Sequence, residues 1–166
     1  DMRGRAKGHW IEKALGTMLQ SNRAAATCII AHAATACTDD TGFGLLGHLV
    51  EMVRQSKVDA EIDLGMLPIL EGARETIKPG FISSLQPSNI RLRRAVKDLA
   101  NVRRDECYMA IFDPQTAGGL LASVPSDRSD SCVSALRSLG YVHASVIGRV
   151  LPLSDTPEPI TLTRTS

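Results

Sequence analysis

Apolar residues between positions 10 and 32 recur at three-, four- and seven-residue spacings. Ile11, Leu15, Met18, Ala25 and Ile29 fall on one stripe, and the spacing predicts one amphipathic helix. The alanine-rich content favours the same reading. ATACTDD, residues 34–40, reads as a short strand running into a loop. Residues 41–54 predict a second helix, with Phe43, Leu46, Val50 and Val53 on its buried side and Gly44, His48, Glu51 and Gln55 opposite. Asp40 or Thr41 is the expected N-cap. Residues 58–64 alternate apolar and polar, the signature of a strand with one wet face. A helix is expected over 67–78, with Pro68 in its first turn and Pro79-Gly80 as its stop. Residues 81–89 read as loop and 90–99 as helical or irregular. Residues 109–124 read as strand, a loop over 113–119, then strand. An amphipathic helix follows over 127–139, closed by Gly140, and strands over 142–150 and 159–163 complete the chain. Helices and strands alternate, but the connections are uneven. The expected fold class is α+β: a mixed β-sheet with helices packed on it in layers, one domain over 1–166.

Composition narrows the classes of function. The 166 residues suffice for one core, and 43% hydrophobic with 22% charged residues excludes disorder over the whole chain. Lys plus Arg is 19 and Asp plus Glu is 18, so no basic field exists to hold nucleic acid by counterion release. The apolar run around 146–151 falls far short of the roughly 20 residues that span a membrane. Cys28, Cys37, Cys107 and Cys132 form no C-x-x-C pair and do not stand at zinc-ligand spacing. The opening segment DMRGRAKGHW has no apolar centre. Reduced thiols in a cytoplasmic protein are the expectation.

Two segments carry candidate chemistry. In Thr38-Asp39-Asp40-Thr41-Gly42-Phe43-Gly44, acids at a strand end are followed by a glycine turn into a helix. Carboxylate oxygen suits Mg²⁺, and free N–H groups at a helix start suit phosphate. The alternative is that Asp40 merely caps the helix and Asp39 is solvated. Gly42, Gly44 and Gly47 lower helix stability by roughly 1 kcal/mol each at interior positions, which points to close approach of another element or a ligand. The second segment is Phe112-Asp113-Pro114-Gln115-Thr116-Ala117-Gly118-Gly119-Leu120-Leu121. It reads either as a polar binding loop or as an ordinary strand connection. His48 reads as a solvated or interfacial histidine, and the basic run of Arg91, Arg93, Arg94, Lys97, Arg103 and Arg104 as a solvated face. Asn22 interrupts an apolar stretch and is either exposed or a buried polar group needing a partner.

Taken together, the words Ala36-Cys-Thr-Asp-Asp-Thr-Gly-Phe-Gly-Leu-Leu-Gly-His-Leu49 and Phe112-Asp-Pro-Gln-Thr-Ala-Gly-Gly-Leu-Leu-Ala122 resemble the two hallmarks of selenophosphate synthetases (selenide, water dikinases). Their order and separation fit, as do the Asn22 helix and the Val146-Ile-Gly-Arg-Val150 segment. The resemblance is to the C-terminal half of that enzyme. It implies the C-terminal fold of the aminoimidazole ribonucleotide synthetase-related superfamily. It further implies a longer parent, whose absent N-terminal domain carries the ATP loop and the reactive Cys or Sec. The implied reaction makes selenophosphate, AMP and phosphate from selenide, ATP and water with Mg²⁺, in a cytoplasmic protein that is a homodimer at full length and uses neither nucleic acid nor membrane.

By the same resemblance, Asp39 matches a metal-holding aspartate. Thr41, Gly42 and Gly44 from the first loop, with Asp113, Gln115, Thr116 and Gly118 from the second, would shape the phosphate side of the nucleotide site. The fragment alone is expected to be inactive, with no catalytic nucleophile of its own. Asp40 departs from an apolar residue usual in the family, and Ala117 from serine. Gln86-Pro-Ser-Asn89 is loosely similar to a family stretch ending in asparagine. The alternative is a non-catalytic binding or regulatory module of the same fold, fused to an oxidoreductase.

Overall fold

The computed structural model describes Gly4 and residues 6–165; the first residues of the DMRGRAKGHW segment lie outside that range. Among the described residues sixteen short elements build the expected α+β fold, but the strands divide between two sheets where one mixed sheet was expected. Strands β1 (Ala36–Asp39) and β3 (Leu120–Ser123) form an antiparallel ribbon, with Asp39 opposite Leu120. Strands β2 (Asp59–Asp63), β4 (Gly148–Leu151) and β5 (Ile160–Thr163) form a mixed sheet. β2 lies at its centre, antiparallel to β4 and parallel to β5.

The stripe over 10–32 divides into α1 (Gly8–Met18) and α2 (Arg23–Ala31). Ser and Asn compete for nearby backbone groups and so interrupt helices. Here the Ser21 hydroxyl accepts the Arg23 N–H at 3.2 Å, and Asn22 spends its amide on the carbonyl of Gly118 at 2.9 Å. Helix α1 has no fully buried residue; Trp10 anchors it against Gly72, where no side chain would fit.

Helix α3 (Gly44–Ser56) packs Leu46, Leu49, Val50 and Val53 into the main core with Ala60, Ile62, Leu64, Ile160 and Leu162. Burial of each large side chain contributes about 1.5–3 kcal/mol. The expected faces of this helix need correcting. Phe43 is 57% exposed, because it precedes the helix as its N-cap residue. Gly44 and His48, expected on the open side, are buried. Neither Asp40 nor Thr41 caps α3.

Other expectations shift in informative ways. The helix expected over 67–78 is reduced to α4 (Ala73–Ile77), because Gly72 enters it with φ +85°. The loop over 81–89 ends in a short helix, α5 (Gln86–Asn89). The strand expected from 109 is a 3₁₀ turn, Tyr108–Phe112. Its buried residues Tyr108, Ile111 and Phe112 stand three and four apart, which is helical spacing within a run too short for periodicity to resolve. The strand expected over 142–150 is confined to β4. Helix α6 (Ser129–Ser138) lies within its expected span and packs with α2 over a second, smaller core. No helix among the described residues is long and apolar enough to cross a membrane.

Candidate functional site

The two motif loops meet through their main chains. The Gln115 N–H donates to the Thr41 carbonyl at 2.9 Å, and the Asp40 N–H donates to the Gly119 carbonyl at 2.9 Å. Glycine is required on both sides of the joint. A Cβ at Gly118 would lie 2.0 Å from the Asp40 carbonyl oxygen. One at Gly44, where φ is +67°, would come within 3.1 Å of the Ile111, Phe112 and Asp113 main chain. The glycines therefore serve close approach of backbone to backbone.

Two asparagines complete the frame. Buried Asn89 donates to the carbonyls of Gly42 at 3.0 Å and Phe112 at 3.1 Å, one from each loop. Asn22 holds Gly118 from the opposite direction. Asn22 was recognisable as a polar break in an apolar stripe. Asn89 had only the loose similarity of the Gln86–Asn89 stretch to signal it, yet it joins both loops.

His48 belongs to the frame too, not to solvent. It is 6% exposed, and its Nε2 accepts the Thr41 N–H at 3.1 Å with the Thr41 hydroxyl also at 3.1 Å. An accepting Nε2 puts the ring proton on Nδ1, which faces Glu51 at 3.9 Å. The imidazole thus does the work expected of an Asp or Thr cap, tying the turn before α3 to the helix body.

Three carboxylates border this joint. Asp39 ends β1 and is exposed; among the described residues its side chain accepts no hydrogen bond and joins no ion pair. Asp40 points inward, and its Oδ1 is buried without a partner among the described residues. Burial, then the charges of Asp113 and Asp39, push its pKa up to about 7. Burial also raises Asp113, against a hydrogen bond from Gln115 that lowers it.

The other anticipated residues divide clearly. Thr41, Gly42, Gly44, Asp113, Gln115 and Gly118 gather at the joint, each through a contact described above. Thr116 lies on the same loop but is exposed, with no side-chain hydrogen bond among the described residues. The Gly42 and Phe43 N–H groups donate to no protein acceptor among the described residues. Of these groups the exposed Asp39 carboxylate is the one with the hard-oxygen chemistry that suits a divalent cation, and free N–H groups are the kind that suit phosphate oxygens. Magnesium bound there would neutralise phosphate charge.

Comparison with known proteins identifies the family. Residues 11–155 match the family described as AIR synthase related protein, C-terminal domain. A selenide, water dikinase of Clostridioides difficile is 35% identical over 154 residues, covering 92% of this chain and 44% of that protein. One from Caldanaerobacter subterraneus is 41% identical over 115 residues, covering 69% of this chain and 33% of its own length. Selenide, water dikinase 2 of Peptoclostridium acidaminophilum is 36% identical over 135 residues, covering 81% and 38% respectively. The chain spans less than half the length of these curated relatives. Fold, loop words and relatives agree: the chain belongs to the AIR synthase related family, as a C-terminal domain homologous to selenide, water dikinases.

Proposed function

We propose that this chain is the C-terminal domain of an ATP-dependent selenophosphate synthetase. The parent makes selenophosphate, AMP and phosphate from selenide, ATP and water in the cytoplasm, as a homodimer. The nucleophile and the ATP loop belong to an N-terminal domain, and the 166-residue chain by itself is inactive. Its contribution is to present Asp39 to the magnesium that accompanies the nucleotide phosphates. Thr41, Gly42 and Gly44, with Asp113, Gln115, Thr116 and Gly118, form the wall beside those phosphates. ATP and selenide are the substrates.

One observation carries this reading: Asp39, which matches the family's metal-holding aspartate, is an exposed carboxylate without a protein partner among the described residues, held at the end of β1 beside a backbone joint. Mg²⁺ keeps most of its waters and takes few protein carboxylates, so a single aspartate from this domain is a reasonable share of its shell.

Manganese titration of the chain, followed by amide NMR, tests the metal role. Paramagnetic broadening is expected at residues 38–44 and 113–118, and Asp39→Asn removes it without altering the remaining spectrum. Broadening spread evenly over all exposed acids would overturn the assignment of Asp39. In the full-length parent, Asp39→Asn is expected to suppress selenide-dependent AMP formation and to raise the magnesium requirement. Full activity in that variant would refute the role.

A further inference from the structure

Away from the carboxylates, three soft donors meet between α2 and α6. Cys28 and His32 stand four residues apart and so share one face at the end of α2. Cys132 comes from the first turn of α6. Cys28 Sγ and His32 Nδ1 are 3.8 Å apart, and the donor atoms of all three residues lie within 4.8 Å of one another. Sequence spacing gave no hint of this group, because the third donor arrives only when α6 packs on α2.

The separations suit a small tetrahedral ion. With bonds of about 2.3 Å to sulfur and about 2.0 Å to nitrogen, two tetrahedral ligands stand roughly 3.5 Å apart. Cys28 is 8% exposed and Cys132 3%. The shell around them is apolar, built from Ala25, Ile29 and Leu136 with Ala122 and Val124 packed against it. The His32 ring already turns Nδ1 toward the cluster, at 2.8 Å from the Cys28 carbonyl. Nδ1 donates to that carbonyl, so a metal would take the place of this hydrogen bond with the ring proton carried on Nε2.

We propose that Cys28, His32 and Cys132 form a binding site for zinc. Two thiolates and one imidazole select a borderline-soft d¹⁰ cation over magnesium or calcium. Three protein ligands leave the fourth position to water or an external thiolate. Each thiol releases its proton as its sulfur binds the ion, and nothing is oxidised. The ion clamps α2 to α6. Because Asn22, just before α2, holds the Gly118 carbonyl, the clamp steadies one fastener of the loop frame from behind.

Cobalt(II) serves as the spectroscopic probe. Added to the reduced, chelator-treated 166-residue chain, it is expected to bind at one equivalent. The signature is a thiolate-to-cobalt charge-transfer band with intense tetrahedral d–d bands, all abolished by added zinc. Cys132→Ser is expected to lose the bands and His32→Ala to weaken them, whereas Cys37→Ser, at an exposed thiol, leaves them unchanged. A flat titration of the folded chain would overturn the proposal, and so would bands that persist in Cys132→Ser. Circular dichroism checks that each variant folds. Where one does not, alkylation of the unmutated chain decides. Zinc-dependent protection of Cys28 and Cys132 but not of equally buried Cys107 supports the site. Equal protection of all three, or a Cys28–Cys132 disulfide in protein kept under reductant, refutes it.

Discussion

In the three-stranded sheet, central β2 buries Asp59, Ala60 and Ile62, and α3 closes over it with a row of large apolar side chains. In the β1–β3 ribbon, β1 alternates between half-buried and exposed residues, and of β3 only Leu121 is fully buried. The polar groups differ as sharply. Buried Asp59 in the first region is matched by the Lys97 ammonium at 2.8 Å and the Ser154 hydroxyl at 2.6 Å, which hold its carboxyl below the ordinary range. Each of the two leaves its Oδ1 buried without a partner among the described residues; Asp40 differs in that the charges acting on it, those of Asp113 and Asp39, raise its pKa instead of lowering it. The sheet is held by apolar burial, with Asp59 paired to Lys97 and Glu61 to Arg149. The ribbon is held by main-chain contacts, glycines and two asparagines, and it gathers unpaired negative charge at one end.

The largest expected effect tests that uncompensated charge. Asp40 has a folded pKa near 7 against an ordinary 3.8, so the folded state holds a proton that the unfolded chain releases between those values. Its contribution therefore falls as pH rises from about 4 to about 8, by about 4 kcal/mol at 1.4 kcal/mol per unit. Urea midpoints across that range are expected to decline, and Asp40→Asn flattens most of the decline, leaving a smaller slope from Asp113. An unchanged slope would erase the contrast between the regions.

On the sheet side, Lys97→Met leaves Asp59 buried and unmatched, with an expected loss of about 3 kcal/mol in chemical denaturation. Pairing it with Asp59→Asn recovers most of that loss. On the ribbon side, Gly118→Ala forces a methyl group onto the Asp40 carbonyl, at an expected cost of about 2–3 kcal/mol. A neutral Gly118→Ala would mean that the two loops are not locked. The smallest effect belongs to Asn22→Ala. It removes one hydrogen bond to Gly118 and is expected to cost about 1 kcal/mol, with faster amide exchange confined to residues 115–119.

The two regions also differ in how much of them could be read from sequence. The alternation over 58–64 placed β2, and the spacing of Leu46, Val50 and Val53 placed the buried side of α3, because apolar burial in that region follows period; Asp59, expected on the wet face, is buried because Lys97 and Ser154 take up its carboxylate. Period fails at Phe43 and His48. What decides their positions is a left-handed Gly44 and a ring that accepts a backbone N–H, and neither leaves a hydrophobic signature. The strand expected at 109 fails for a related reason: a five-residue apolar run carries too few turns to separate a 3₁₀ turn from a strand. At the site, the loop words identified which residues gather. They could not reveal that Asn89 binds both loops, because its role is set by a contact distant in sequence.

The loop joint described above runs through carbonyls, N–H groups and glycines, none of which constrains the identity of the side chains between them. Thr116 and Ala117 project from the span between these fixed points and are exposed. The architecture separates scaffold from vocabulary: substitutions at those two positions change the chemistry displayed on the loop while its main-chain register stays fixed.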